Sequence, residues 1–286
     1  MSQISRARNN DSETPLVILR PAKGWSMINF RDLWLFRELI YFMTWRDLKV
    51  RYKQTLLGFS WAIIKPFMTM VVFSIIFGRL AKMDSGGVPY PIFYYTALLP
   101  WDLFTNALTI ASRSLVQNSN MITKIYFPRI ILPLSSVLAG LADFAIAFLV
   151  LIGMMIFYKI PATPRVWYLP LFLLLAMLTS LGVGLWLSAM NVLYRDINYI
   201  TPFLTQFWWV ITPIAYSTSI FEGRWSSVLA LNPMTGVIEG FRWSLLNTTQ
   251  PLSIPTILVS ALISLVILVT GILYFRRMER LFADMV

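Results

Sequence analysis

Apolar positions in this chain gather into long blocks rather than into the stripes of a soluble helix. Phe67–Phe77, Ile131–Phe157, Leu169–Met190 and Ile257–Phe275 are almost free of charge. Several reach the roughly 20 residues that carry a helix across about 30 Å of hydrocarbon. Six spans are expected: Trp61–Gly78, Phe93–Ser112, Ile131–Tyr158, Leu169–Met190, Phe203–Tyr216 and Thr256–Phe275. The fifth is short, with Pro202 just before it and Pro213 inside it. The fold class is therefore an all-α integral membrane protein.

Between the blocks the pattern changes. On a helical projection of Asn29–Trp45, Leu33, Phe36, Leu39, Ile40 and Met43 share one arc. Arg31, Arg37 and Glu38 lie away from it, and Asp32 intrudes on it at a position where it can cap the helix. The dense aromatics Trp34, Tyr41 and Trp45 favour an amphipathic helix in the interface plane over a buried cytoplasmic one. Arg46–Pro66 then leads basic residues into the first span, where Gly58 permits a turn or close packing. Ser119 or Asn120 can cap a short helix in Arg113–Ile130, and Pro128 can stop it. Its plain reading is a connector; its other reading is a knob for a soluble partner. Ser217–Pro255 is too apolar for an exposed loop and too broken for a span, since Asn232-Pro233 interrupts it. Short re-entrant helices at the outer face fit this segment, provided protein or water covers their backbone.

Charge supplies the orientation. The chain carries 24 basic and 13 acidic residues, a net +11. Ten of the basic residues precede the first span, and 18 fall on the side that holds both termini. The positive-inside rule makes that side, with both termini, cytoplasmic in a multi-pass membrane protein. Anionic lipid accounts for the positive charge, with no need for nucleic acid. Residues 1–28 read as a polar cytoplasmic tail without the apolar core of a signal peptide, residues 29–60 as the amphipathic helix and basic lead-in, and residues 61–286 as one membrane domain.

The chemistry is sparse. There is no cysteine and no histidine, which removes thiolate chemistry and the commonest proton shuttle. No P-loop, zinc motif or nucleophile elbow occurs, so no cofactor or metal is expected on this chain and no catalytic residue is assigned. Two carboxylates fall within spans: Asp102, near the outer end of the second, and Asp143, well inside the third. An intramembrane acid is either functional, or is bonded across helices or sits protonated. No second acid stands beside Asp143 in the sequence, which argues against a proton-driven antiporter. Lys49, Arg51 and Lys53 cluster before the first span, where they suit lipid phosphate or the diphosphate of a lipid-linked substrate. Trp225, Phe241 and Trp243 are candidate plugs or sugar platforms in the outer segment, weighed against a plain interfacial belt.

Several motifs, in order, resemble one family. Lys49-Val50-Arg51-Tyr52-Lys53-Gln54, then Leu57-Gly58, Trp61 and Pro66, is similar to the lead-in of ABC-2 type export permeases. Leu99-Pro100-Trp101 with Phe104, Lys124 with Phe127-Pro128-Arg129 and Leu132-Pro133, and Thr212-Pro213-Ile214 with Tyr216 and then Asn232-Pro233 agree with its polysaccharide branch of O-antigen, capsule and teichoic-acid permeases. The resemblance covers the chain from about Asn29. It implies a homodimeric channel with two separate ABC ATPase subunits docked below, which bind the ATP and magnesium. It implies a coupling helix in the loop after the second span, with Asn118, Asn120, Met121, Ile122 and Lys124 as its residues, and a re-entrant outer gate. It implies export of a polysaccharide on a polyprenyl diphosphate. The alternatives are an exporter of a small hydrophobic compound or of another lipid-linked glycan such as teichoic acid or capsule, a structural assembly factor, and a membrane enzyme of polyprenyl-sugar metabolism, against which the missing acid clusters and metal sites speak.

Overall fold

The computed structural model describes residues 30–53, 60–220, 224–246, 252–279 and Phe282. The polar tail, Gly58 and the Asp32 side chain lie outside the described residues, as do parts of the outer segment including Phe221. Among the described residues all regular structure is helical. Two helical pieces, α1 (Phe30–Leu35) and α2 (Arg37–Lys53), lead to α3 (Trp61–Phe73), which continues as a π-helix over Ser74–Leu80. Then come α4 (Tyr90–Gln117), α5 (Ser119–Lys124), α6 (Ile131–Phe157), α7 (Leu169–Leu193) and α8 (Ile197–Ile211). The chain ends with α9 (Arg224–Ala230), α10 (Pro233–Leu245) and α11 (Ile254–Met278).

Among the described residues, four helical stretches are long and apolar enough to cross a bilayer on those grounds alone: Trp61–Leu80, Ile131–Phe157, Pro164–Leu193 and Ile254–Met278. The helices at the other two expected spans, α4 and α8, are special for different reasons. α4, at 28 residues, is the central helix, packed against α3, α6, α7, α8 and α10. Protein rather than lipid surrounds it, so it tolerates polar residues that a lipid-facing helix could not. α8 is only 15 residues long, and its bounds correct the expected fifth span. Pro202 lies inside the helix and Pro213 beyond its end. Pro202 cannot donate to the Asn198 carbonyl one turn back; Arg113 Nη2 takes that carbonyl instead, at 3.3 Å.

Helix pairs pack through small residues, as membrane helices do. At the α7–α11 crossing, Gly182 sits against the backbone of Leu268, where an added Cβ would lie 2.8 Å from its Cα. Nearby, the Thr179 and Ser264 hydroxyls share a hydrogen bond of 2.8 Å.

Both ends of the described chain meet at one end of the bundle, the near end. Met43, Leu115, Ile122, Phe127, Ile130, Phe275 and Phe282 form one buried cluster there. Leu33, Phe36, Leu39 and Ile40 pack against it, so the predicted apolar arc is the face that seats the N-terminal helices. Trp34 and Tyr41 remain about 70% exposed on the other side (71% and 72%). The helix does not lie flat across the bundle, however. From Met43 it runs along α6 until Arg51 meets Asp143, 12 residues and about 18 Å into α6.

α5 is the expected short helix, with two corrections. Asn118, rather than Ser119 or Asn120, occupies the cap position, and its side-chain amide turns back to donate to Ser114 O at 2.7 Å. The helix stops at Lys124, four residues before Pro128, where Ile125 becomes extended.

Candidate functional site

A line of polar side chains runs along the central helix. Asp102, Thr105, Asn106, Thr109 and Arg113 recur at helical spacing and fall within an arc of about 100° at 3.6 residues per turn. All five are partly exposed, whereas most of α4 is buried. Thr105 and Thr109 turn their hydroxyls onto carbonyls one turn back, Trp101 O at 3.1 Å and Thr105 O at 2.7 Å. That bonding uses the hydroxyl's one proton and lets it sit in an apolar helix while both its lone pairs stay available as acceptors.

Toward α6 the strip opens into a pocket of about 310 Å³ between α2, α3, α4 and α6. Two acids and two bases line it: Asp102 and Asp143, Arg51 and Lys65. Arg51 Nη1 donates to Asp143 and forms an ion pair with it, and the Tyr52 hydroxyl donates to the other carboxylate oxygen. The structure therefore places a second acid in the surroundings of Asp143, which linear sequence could not reveal. It also places Asp102 mid-way along α4 rather than near the helix's far end. Asp143 bonds across helices, and the pocket as a whole is charge-balanced, which is how ionisable groups are tolerated at this depth.

Arg51 is thus tied to a carboxylate. Lys49 and Lys53 are exposed, with Lys49 Nζ lying 5.7 Å from the centre of the Trp45 ring. The three bases do not form one phosphate cradle. At the near end Asn120 and Lys124 are exposed and Met121 is partly buried, while Ile122 belongs to the core cluster. A partner subunit at this end would meet the first two and not Ile122.

At the far end the strip stops. Beyond Asp102 the same arc of α4 carries Tyr95, Leu98 and Leu99, all buried. Phe73 of α3 stacks on Tyr94 at 5.1 Å, lies edge-on to Trp209 of α8 at 5.1 Å, and stacks on Phe77 at 5.6 Å. α3 and α8 thus meet over the end of α4 through aromatic rings. The spacing of 102, 105, 106, 109 and 113 was the available signal for the strip; the aromatic cluster joins three distant segments and left none.

The segment after α8 folds back on this closure. Asn232 caps α10 by accepting from Met234 N at 3.0 Å, and Pro233 takes the first helical position. The Asn232 side chain also accepts from Trp208 Nε1 at 2.9 Å and donates to Thr212 Oγ1 at 2.8 Å. Arg242 is buried, with its guanidinium 3.6 Å from the centre of the Phe93 ring. It donates to Pro213 O at 2.8 Å, Ile214 O at 2.7 Å and Tyr216 O at 3.2 Å. One rigid fork therefore satisfies three carbonyls of the irregular chain that follows α8.

Of the three outer aromatics read from sequence, Phe241 is fully buried and edge-on to Phe144 at 6.0 Å. Trp243 lies against Tyr168 at 5.5 Å under the Arg165 guanidinium, and Trp225 is 67% exposed on α9. They occupy three separate environments.

Residues 38–246 match the family model for ABC-2 type transporters. The chain belongs to that family. Among relatives, the O-antigen export system permease protein RfbA of Klebsiella pneumoniae is 26% identical over 248 residues, covering 86% of this chain and 94% of the relative. RfbA of Myxococcus xanthus is 28% identical over 214 residues, covering 74% and 82%. The polysialic acid transport protein KpsM of Escherichia coli is 22% identical over 199 residues, covering 68% and 76%.

Proposed function

We infer that this ABC-2 chain is the membrane subunit of an ATP-driven polysaccharide exporter, and that the polar strip of α4 is one wall of the path the glycan takes. The strip carries the reading. A helix at the centre of an apolar bundle keeps five polar side chains on its partly exposed arc. In a membrane such residues face water, a polar substrate or another polar chain. Hydroxyl and amide groups at one-turn intervals suit successive sugar hydroxyls. A path for a small hydrophobic compound would have no use for them, and names of relatives in both O-antigen and polysialic acid export favour a glycan.

The rest of the assembly follows from chemistry at the two ends. A second copy closes the channel by meeting the exposed apolar faces of α3 and α8, which carry Val72, Phe203 and Phe207. The near end is cytoplasmic, because most of the basic residues gather there. A separate ATPase subunit, holding ATP and magnesium, docks on α5 through Asn120 and Lys124. The substrate is a polysaccharide on a polyprenyl diphosphate, drawn from the cytoplasmic leaflet of the inner membrane past Lys49 and Lys53. The Phe73–Tyr94–Trp209 cluster seals the path at rest, with the Arg242-pinned segment as its lid. Trp225 and Trp243 then serve the outer interface.

The test is reconstitution. Cells lacking this permease, supplied with the chain and its ATPase, should recover polysaccharide at the surface. Recovery without any ATPase, or an unchanged intracellular pool of polysaccharide in the presence of both subunits, would contradict the assignment.

A further inference from the structure

The charged pocket is one half of a seam between α3, α4 and α6; its far half is a groove of about 900 Å³ and of opposite character. Apolar side chains such as Phe67, Ile75 and Phe157 line it, and Arg79 stands at its outer end. We propose that this groove binds a resident anionic phospholipid of the far leaflet, one acyl chain lying between α3 and α6 and the phosphate on Arg79.

The π-helix Ser74–Leu80 forms one wall, contributing Ser74, Ile75, Gly78 and Arg79. A seven-residue π stretch is rare, and such stretches concentrate at functional sites. Here it brings Gly78 against the Tyr90 ring, where an added Cβ would lie 2.9 Å from the ring. The α3–α4 contact is therefore tight and leaves the opening toward α6. On that side Gly153 lines the groove, and a side chain added there would meet nothing within 4 Å. Space beside a glycine in the far-leaflet part of a membrane helix is filled by lipid or by another helix.

Length and charge select the occupant. Phe67 to Arg79 spans about 18 Å at a rise of about 1.5 Å per residue, close to the ~15 Å of hydrocarbon in one leaflet. That is the depth of one acyl chain. A polyisoprenoid chain several times longer would leave most of its length outside. Arg79 is exposed at the lipid-facing rim, where a guanidinium pairs with a phosphodiester. A single cation suits that monoanion better than a diphosphate.

The experiment uses the full chain with its ATPase subunit in vesicles of phosphatidylethanolamine and phosphatidylglycerol, doped with a phosphatidylglycerol that carries a photoreactive group on its acyl chain. After illumination, labelled peptides are mapped by mass spectrometry. Label should concentrate on 71–79 and 150–157 over the lipid-facing side of α11, around Leu258 and Leu262. Arg79→Gln should reduce labelling of the seam about fivefold, as loss of one basic residue beside anionic lipid predicts. Gly153→Leu should reduce it by filling the groove. Equal labelling of seam and α11 would reduce the site to ordinary annular lipid and overturn the proposal. Displacement of the probe by a polyprenyl phosphate would overturn the choice of occupant. The chain has no cysteine, so a disulfide between copies of Gly153→Cys would show that a second copy fills the seam and would overturn it as well.

Discussion

The Arg51–Asp143 pair makes the sharpest quantitative prediction. Asp143→Ala removes the carboxylate that holds both Arg51 and the Tyr52 hydroxyl, leaving a cation at the depth of the α6 midpoint. Breaking a buried pair from one side costs about 3–5 kcal/mol. These side chains are 23% and 21% exposed, so solvent screening lowers the figure to about 2–3 kcal/mol. Arg51→Ala should cost less, because Asp143 keeps Tyr52. The double variant should cost clearly less than the sum of the two singles, with an interaction energy of at least ~1.5 kcal/mol, whereas independent sites add to within about 0.5 kcal/mol. The assay is reversible unfolding in mixed micelles by detergent titration on the wild type, both singles and the double. Simple additivity would refute the pairing. An export defect from Arg51→Ala that Asp143→Ala restores assigns Arg51 to holding α2 on the bundle. A defect that persists in a stable double variant would return Arg51 to contact with substrate.

Other perturbations test other joints. Arg242→Lys should loosen the segment after α8, because an ammonium cannot replace a planar fork on three carbonyls; amide exchange at 212–217 should rise, with a stability loss of about 1–3 kcal/mol, and unchanged exchange would count against the pin. Gly182→Val should force α7 and α11 apart at a cost of about 1–3 kcal/mol, read as a lower unfolding midpoint, whereas a neutral result would show that the crossing is looser than drawn. Cysteine at Asn120 should cross-link to the ATPase subunit and cysteine at buried Ile122 should not; the reverse pattern would displace the docking site.

How far the sequence carried depended on the range of the interaction. Periodicity and hydropathy are local, so the apolar spans and the arc Leu33–Phe36–Leu39–Ile40–Met43 were legible, and that arc is the packed face. The bounds of α8 were not: the reading puts Pro202 before the helix and Pro213 inside it, and the structure has the reverse. Pro202 is tolerated because Arg113, 89 residues away in sequence, takes the carbonyl that it strands. Asp143 looked solitary for the same reason: Arg51, Tyr52 and Asp102 reach it only through tertiary packing. The outer aromatics were chosen by composition, yet the rings that meet over α4 are Phe73, Tyr94 and Trp209 from three different helices. The polar strip could have been found, because its spacing is helical. The apolar residues between its members obscure it, and three of the five are uncharged.

The central claim, that the α4 strip faces the moving polysaccharide, is open to one direct measurement. The natural chain lacks cysteine, so single cysteines can be placed at Thr105, Asn106 and Thr109 on the strip, and at Leu108 and Ala111, which are fully buried elsewhere on α4. Each variant, assembled with its ATPase, is exposed to a bulky water-soluble thiol reagent while export runs, and surface polysaccharide is followed over time. The strip positions should react and export should stop as they do, while the buried positions stay unmodified and export continues. Unreactive strip cysteines, or continued export after all three are modified, would contradict the account.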